Sequence, residues 1–316
     1  MPKPLMCPPA LLERDLAGQT LVVTGGNSGI GLVTVEQLAR QGATVVLAAR
    51  RPAEGERARA EVMAKSPRGT IEVGTLDLAS LASVRAFAAD VLAKHGAIHG
   101  LVNNAGVMNT PRGTTTDGFE TQFGTNHLGH FLLTELLLPA LRRGAPSRVV
   151  NVSSCFHDRA NGREGLIAFD DLHFERRPYD GWTAYAQSKL ANVLHAKQLA
   201  RELAGERVTA ASVHPGWVRT HLIRHSMPVW AQNLLSPLLR LGGLIEPWEG
   251  AQSTLYALLA PEVELASGAF YSQIGFYRDK AANKGGWPLR SPNPHAHDDD
   301  AAARLAQVSR QLVGLA

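Results

Sequence analysis

The sequence predicts an α/β fold: a single domain on a doubly wound parallel sheet of about seven strands, with helices on both faces. Three observations carry this. Short β-branched runs alternate with segments of helical periodicity over residues 21–213, the pattern of parallel strands joined by crossover helices. The first run, Leu21-Val22-Val23-Thr24, passes through Gly25-Gly26-Asn27-Ser28-Gly29-Ile30-Gly31 into a helical pattern, giving strand, glycine turn and helix in succession. Polar turns follow the later runs, and in such a sheet the carboxyl ends of the strands open on one crevice.

Composition bounds the reading. The chain has 316 residues, 45% apolar and 19% charged, with a net charge of +4, ordinary values for a soluble globular protein. Lys and Arg are scattered, which argues against nucleic acid as a partner. Cys7 and Cys155 are the two cysteines. They imply neither a disulfide framework nor a zinc site, and they suit a reducing, cytoplasmic compartment. Residues 1–17, with prolines at 2, 4, 8 and 9, read as a frayed N-terminal extension before a domain of residues 18–316, and as neither signal peptide nor anchor. The most apolar later stretch, residues 229–245, is broken by Gln232, Asn233, Pro237 and Arg240. It cannot span a bilayer, although contact with a membrane surface stays open. His295 and His297 beside Asp298, Asp299 and Asp300 read as a polar helix start, so no metal is expected.

Along the chain, Gly25, Gly29 and Gly31 permit a tight turn and let a diphosphate approach the backbone at a helix N-terminus. The spacing Gly-x-x-x-Gly-x-Gly departs from Gly-x-Gly-x-x-Gly, so an unspecialised glycine loop remains an alternative. The second strand, residues 44–48, runs into Ala49-Arg50-Arg51 with no acid before Glu54. An adenosine ribose would lie at that strand end, where a guanidinium suits a 2′-phosphate and a carboxylate would repel it. This favours NADP(H), with Arg50 the first candidate, Arg51 the second and Asn27 a polar helper. After a helix over 53–65 and a strand over 70–76, Asp77-Leu78 is read as a cap for the helix 80–94, with contact to an adenine amino group as the alternative.

The strand 98–102 leads to Asn103-Asn104-Ala105-Gly106, a polar turn suited to the ribose next to a nicotinamide. The helix 119–141 carries Asn126, an amide among apolar neighbours that is either a satisfied core group or a functional one. The fifth strand, 147–153, ends at Ser153-Ser154, and residues 155–183 form a long connection read as a substrate-side loop. In the helix 184–203, Tyr185 and Lys189 are four apart and share one face, where the ammonium should lower the phenol pKa. Alone, the pair also reads as an ordinary surface i,i+4 contact. The sixth strand, 208–213, precedes His214-Pro215-Gly216-Trp217-Val218-Arg219-Thr220, with Thr220 placed to hold a carboxamide. Residues 221–249 are irregular and apolar, either a core helix pair or a lid-like region over a greasy substrate. A helix over 247–259, a seventh strand over 269–272 and a helix over 298–315 close the chain.

Taken together, the motifs Thr24 to Gly31, Asp77-Leu78, Asn103-Asn104-Ala105-Gly106, Asn126-His127-Leu128-Gly129-His130, Ser153-Ser154, Tyr185-Ala186-Gln187-Ser188-Lys189 and Pro215-Gly216 resemble the short-chain dehydrogenase/reductase family. The resemblance covers residues 16–315, and residues 119–134 and 185–194 look like its retinol-dehydrogenase-like branch. It implies a Rossmann fold and an NADP(H)-dependent oxidoreductase that interconverts a hydrophobic alcohol and its aldehyde or ketone, retinoid-, steroid- or lipid-like. It implies a tetrad in which Tyr185 exchanges the proton, Ser154 rather than Ser153 holds the reacting oxygen, Lys189 binds the nicotinamide ribose, and Asn126 holds a proton-relaying water. The implied cofactor contacts are Gly25, Asn27, Ser28, Gly29, Ile30, Gly31, Arg50, Arg51, Asp77, Leu78, Asn104, Ala105, Gly106, Tyr185, Lys189, Pro215, Gly216, Val218 and Thr220, with Asn103 beside a ribose. It further implies a homodimer or homotetramer through the helices holding Asn126 and Tyr185. A light-dependent protochlorophyllide-type double-bond reductase and a sensor that binds NADP(H) without turnover are the rival readings.

Overall fold

The computed structural model describes residues 3–65, 67–219 and 243–315. Its strands are β1 (Thr20–Thr24), β2 (Thr44–Ala49), β3 (Thr70–Thr75), β4 (Gly100–Asn103), β5 (Ser147–Val152), β6 (Val208–His214) and β7 (Phe270–Ser272). Among the described residues these seven pair in parallel, in the order β7-β6-β5-β4-β1-β2-β3. The order reverses beside β1, whose Leu21 stands opposite Val45 on one side and Gly100 on the other. A crevice opens outside the carboxyl ends at that switch point.

The helices are α1 (Gly29–Arg40), α2 (Pro52–Met63), α3 (Leu81–Lys94), α4 (Gly129–Arg143), α5 (Gly181–Glu202), α6 (Pro247–Leu259) and α7 (Asp299–Leu312). The pleat of the strands sorts their side chains into two layers. Val22 and Val46 face a core built with α3, α4 and α5, while Leu21, Val23, Val45 and Leu47 face the core of α1, α2 and α6. The caps follow local chemistry. Ser80 accepts from the Ser83 amide, Asp180 from Thr183 and Asp298 from Ala301, each satisfying an N–H that the first turn leaves open.

Several expectations are corrected here. Asp77 does not cap α3: Ser80 does, and the Asp77 carboxylate instead closes a turn on the Ala79 amide at 3.0 Å. The segment before β1 is docked rather than frayed. Cys7, Leu11 and Leu16 are buried in the α1/α6 layer, the Cys7 amide donates to Gln252 Oε1 at 3.0 Å, and the Leu5 amide donates to Gln273 Oε1 at 2.9 Å. The helix carrying Asn126 runs without a break from Thr121 into α4, as expected, but widens into a π-turn at Gly124–Leu128, which the sequence did not announce. Of residues 221–249, those before 243 and also Thr220 lie outside the described residues; Leu244–Ile245 pairs in parallel with Trp217–Val218, and α6 follows.

The helix pair expected to meet another copy is covered by the chain itself. Helix α7 lies on α4 and α5, with Arg310 bridging Glu135 and Glu202 at 3.0 and 2.5 Å, Lys197 pairing with Asp299 at 2.8 Å, and Ala302, Leu305 and Ala306 in the shared core. Leu305 is 1% exposed. Leu305→Ala should therefore cost about 2–5 kcal/mol, read as a lower urea midpoint with an unchanged slope.

Among the described residues no helix is long and apolar enough to cross a membrane, and no group of three His, Cys, Asp or Glu side chains could hold a metal. Cys7 and Cys155 are both free and buried, and burial pushes their thiols up to about 12 and about 11. Such thiols are poor nucleophiles.

Candidate active site

The crevice has a volume of about 970 Å³ and runs from the β2 end past the glycine turn to the N-terminal half of α5. At its floor, β1 breaks into Gly25 at φ +64° and α1 starts at Gly29. A Cβ on Gly31 would run into the Gly25 carbonyl and lie 2.6 Å from Asn104 Nδ2, so only glycine keeps this cradle open. Ser28 precedes the helix without capping it through its side chain. The first-turn amides of α1 are thus presented to an anion.

At the β2 end the crevice is lined by Asn27, Arg50, Arg51, Glu54 and Arg57. Arg51 pairs with Glu54 at 2.6 Å, and Asn27 Nδ2 donates to the other Glu54 oxygen at 3.2 Å. Asn27, expected to help hold a phosphate, is thus engaged with a carboxylate. Arg57 was not anticipated, because its only sequence signal is its place one turn beyond Glu54 on α2.

Asp77, Leu78, Asn104, Ala105 and Gly106 line the middle. Asn103, expected beside a ribose, points instead into the sheet: it is 1% exposed and donates to Thr134 Oγ1 and Asn151 Oδ1 at 3.0 and 2.8 Å. Its neighbour Asn104 shapes the cradle by donating to the Thr24 carbonyl at 2.7 Å. Alternation along β4 places one asparagine in and the next out.

At the α5 end stand Ser153, Ser154, Tyr185 and Lys189. Ser153 Oγ donates to the Lys189 carbonyl at 2.7 Å, tying β5 to α5. That leaves Ser154, whose hydroxyl accepts from the Phe156 amide at 3.2 Å and hydrogen-bonds the Tyr185 phenol, as the serine facing the crevice chemistry. Lys189 Nζ donates to the Val152 carbonyl at 2.9 Å and lies 5.6 Å from the centre of the Tyr185 ring. Burial holds Lys189 down to about 7. The same burial raises the Tyr185 phenol well above its ordinary range, against the opposing hydrogen bond from Ser154. The protein's own groups thus do not produce the expected drop in the phenol pKa: desolvation of the phenolate dominates, and the Lys189 ammonium is turned to a carbonyl.

Asn126 stands behind the crevice rather than in it. Its Oδ1 accepts from the Val107 amide at 2.8 Å, and its Nδ2 donates to the Val107 carbonyl and Ser188 Oγ at 2.9 Å each. With both amide protons and one lone pair of Oδ1 bonded to protein, it braces the Gly106 turn against α5. His130 extends the brace. Its Nδ1 lies 3.0 Å from the Asn126 carbonyl and its Nε2 2.8 Å from Thr24 Oγ1. A carbonyl only accepts, so Nδ1 carries the proton. Burial lowers His130 to about 3, leaving Nε2 to accept from the Thr24 hydroxyl, whose oxygen in turn accepts the Asn104 and Ala105 amides at 2.9 and 3.0 Å.

The outer wall is aromatic. Phe156 and Trp182 stack at 4.9 Å beside Tyr185, and Trp217 meets Phe276 edge-on at 5.9 Å. These side chains, missed in the sequence, come from the two ends of the 155–183 connection and from the segments after β6 and β7. The middle of that connection turns away from the crevice, with Phe174 buried and Asp171 accepting the Glu175 and Arg177 amides at 2.7 and 3.0 Å. Pro215, Gly216 and Val218 also line the crevice.

A crevice of this build, at the switch point of a doubly wound sheet, is that of a dinucleotide-fold oxidoreductase. The family model described as short chain dehydrogenase matches residues 19–228. Retinol dehydrogenase 12 of Bos taurus is 43% identical over 306 residues, covering 96% of this chain and 89% of that one. A solved protein from Mycobacterium paratuberculosis is 38% identical, with a TM-score of 0.74 and 95% of each chain covered. The Pseudomonas aeruginosa RhlG/NADP active-site complex is 27% identical, with a TM-score of 0.61, covering 82% of this chain and 95% of that one. The chain belongs to the short-chain dehydrogenase family, in its retinol-dehydrogenase-like branch.

Proposed function

We propose that the protein is an NADP(H)-dependent oxidoreductase that interconverts a hydrophobic alcohol and its aldehyde or ketone, of retinoid, steroid or lipid type. The observation that carries this reading is one continuous crevice with guanidinium groups at the β2 end and Ser154, Tyr185 and Lys189 under an aromatic wall at the other. The protein fits the coenzyme: the cradle that a Cβ on Gly31 would fill takes the diphosphate, and Arg50 takes the 2′-phosphate. The names of the relatives agree, one a retinol dehydrogenase and another solved with NADP.

NADP(H), when bound, supplies or accepts the hydride. Tyr185 gives its proton to the substrate oxygen in reduction and takes it back in oxidation. Ser154 Oγ holds that oxygen. Lys189 binds ribose hydroxyls. Asn126 and His130 hold the Gly106 turn, Thr24 and α5 in register. The aromatic wall selects an apolar substrate and excludes water from the reacting groups. The enzyme works in a reducing, cytoplasmic compartment, and any assembly of copies uses a surface other than the α4/α5 face that α7 covers.

The test is oxidation of NADPH and of NADH by the purified protein against retinal, steroid ketones and aliphatic aldehydes, in the dark. Turnover with NADPH in the dark is the expected result, and turnover only under light would favour double-bond reduction instead. Arg50→Ala should weaken NADPH about 10- to 100-fold, the value of a charge-assisted hydrogen bond, and NADH less than twofold. Equal losses would remove Arg50 from the 2′-phosphate.

A further inference from the structure

We propose that Arg57 and Glu54 set how strongly the crevice prefers NADP(H): Arg57 joins Arg50 on the 2′-phosphate, while Glu54 withholds Arg51 from it and opposes its charge. This rests on the coenzyme reading above. Glu54 and Arg57 are three residues apart on α2, hence neighbours on one face, and both line the crevice with Asn27. Both Glu54 oxygens are taken, one by the Arg51 guanidinium at 2.6 Å and the other by the Asn27 amide at 3.2 Å. That fixes the carboxylate between the glycine turn and the end of β2, the corner where the adenosine ribose of a dinucleotide lies.

Charge bookkeeping at this corner separates the three arginines. Arg51 is neutralised by Glu54, whereas among the described residues neither Arg50 nor Arg57 has an ion-pair partner. A guanidinium without a partner beside a crevice is the one available to a phosphate, and its planar fork suits bidentate contact. A 2′-phosphate carries close to two negative charges at neutral pH, so a fixed carboxylate nearby lowers its affinity. A ribose bearing only hydroxyls meets no such penalty and can donate to the same carboxylate. Glu54 therefore narrows the gap between the two coenzymes, and Arg57 widens it.

Nicotinamide fluorescence titrations of wild type, Glu54→Gln and Arg57→Ala with NADPH and with NADH test this, together with competition by adenosine 2′,5′-bisphosphate against 5′-AMP. Both side chains stand at the crevice surface, and matching circular dichroism checks that each variant is folded. Arg57→Ala should weaken NADPH and the bisphosphate about tenfold and NADH and 5′-AMP less than twofold. Glu54→Gln should tighten NADPH about three- to tenfold and leave NADH unchanged or weaker, with the gain shrinking as salt is raised. Equal losses for both coenzymes in Arg57→Ala, or weaker NADPH binding in Glu54→Gln, would overturn the inference while leaving a wild-type preference for NADPH intact. Wild-type protein that binds NADH as tightly as NADPH would overturn the coenzyme reading itself.

Discussion

Tyr185→Phe should lower kcat by about 10²–10⁴, the range expected when a positioned proton donor is lost, while the affinity for NADPH stays within about twofold. The ring is 3% exposed and sits between Phe156, Trp182 and the α5 backbone, so the phenylalanine occupies the same space and the fold is preserved. The phenol's raised pKa gives the two directions different pH profiles. Reduction needs the protonated phenol, which persists through the neutral range, so the phenol itself adds no pH dependence from pH 6 to 8, and any change there comes from Lys189. Oxidation needs the phenolate, so its rate should climb as pH rises. Initial rates in both directions from pH 6 to 10 check this, and a variant that keeps wild-type kcat would remove Tyr185 from the proton transfer.

Lys189→Met should abolish turnover to a similar degree and yet raise stability. Burial lowers Lys189 from its ordinary range to about 7, so the unfolded chain binds more protons than the folded one between pH 7 and the ordinary lysine range. Stability of the wild type therefore rises with pH across that window, and the full cost of burying the ammonium, on the order of several kcal/mol, is present below pH 7. Methionine carries no such cost. The Val152 carbonyl that Lys189 serves keeps the Asn192 amide at 3.0 Å, so the substitution leaves no orphaned acceptor. Thermal midpoints at pH 6 should favour Lys189→Met, with the advantage gone near pH 10.5. Wild-type affinity for NADH should also weaken as pH rises through about 7, because the ammonium that meets the ribose is lost, and the variant should lack that dependence. A flat titration of NADH affinity from pH 6 to 9 in the wild type would remove Lys189 from the ribose.

Much of the fold was legible because its signals are local. β1, the glycine turn and α1 are adjacent in sequence, β2, β5 and β6 show as short apolar runs because they are buried on both faces, and α5 and α6 carry a helical spacing of apolar residues. The roles of neighbouring residues were harder to separate. Asn103 and Asn104, like Ser153 and Ser154, are adjacent and chemically alike, and only the pleat of the strand and the partner across it place one inward and one at the crevice. Arg51, ranked second to Arg50 in the sequence, proves to be paired with Glu54 in the fold.

The sequence by itself determined the parallel α/β class, the crevice at the strand ends and the Tyr185/Lys189 face, since each depends on periodicity and on residues a few positions apart. Only the tertiary structure decided the direction of the Tyr185 pKa, the bracing position of Asn126, the docking of residues 5–16 and the closure of the α4/α5 face by α7. Desolvation and hydrogen-bond saturation depend on groups brought together from distant parts of the chain: Val107 and Ser188 around Asn126, Gln273 against Leu5, Glu135 and Glu202 around Arg310. No local spacing encodes those meetings, because they are fixed by how the layers pack.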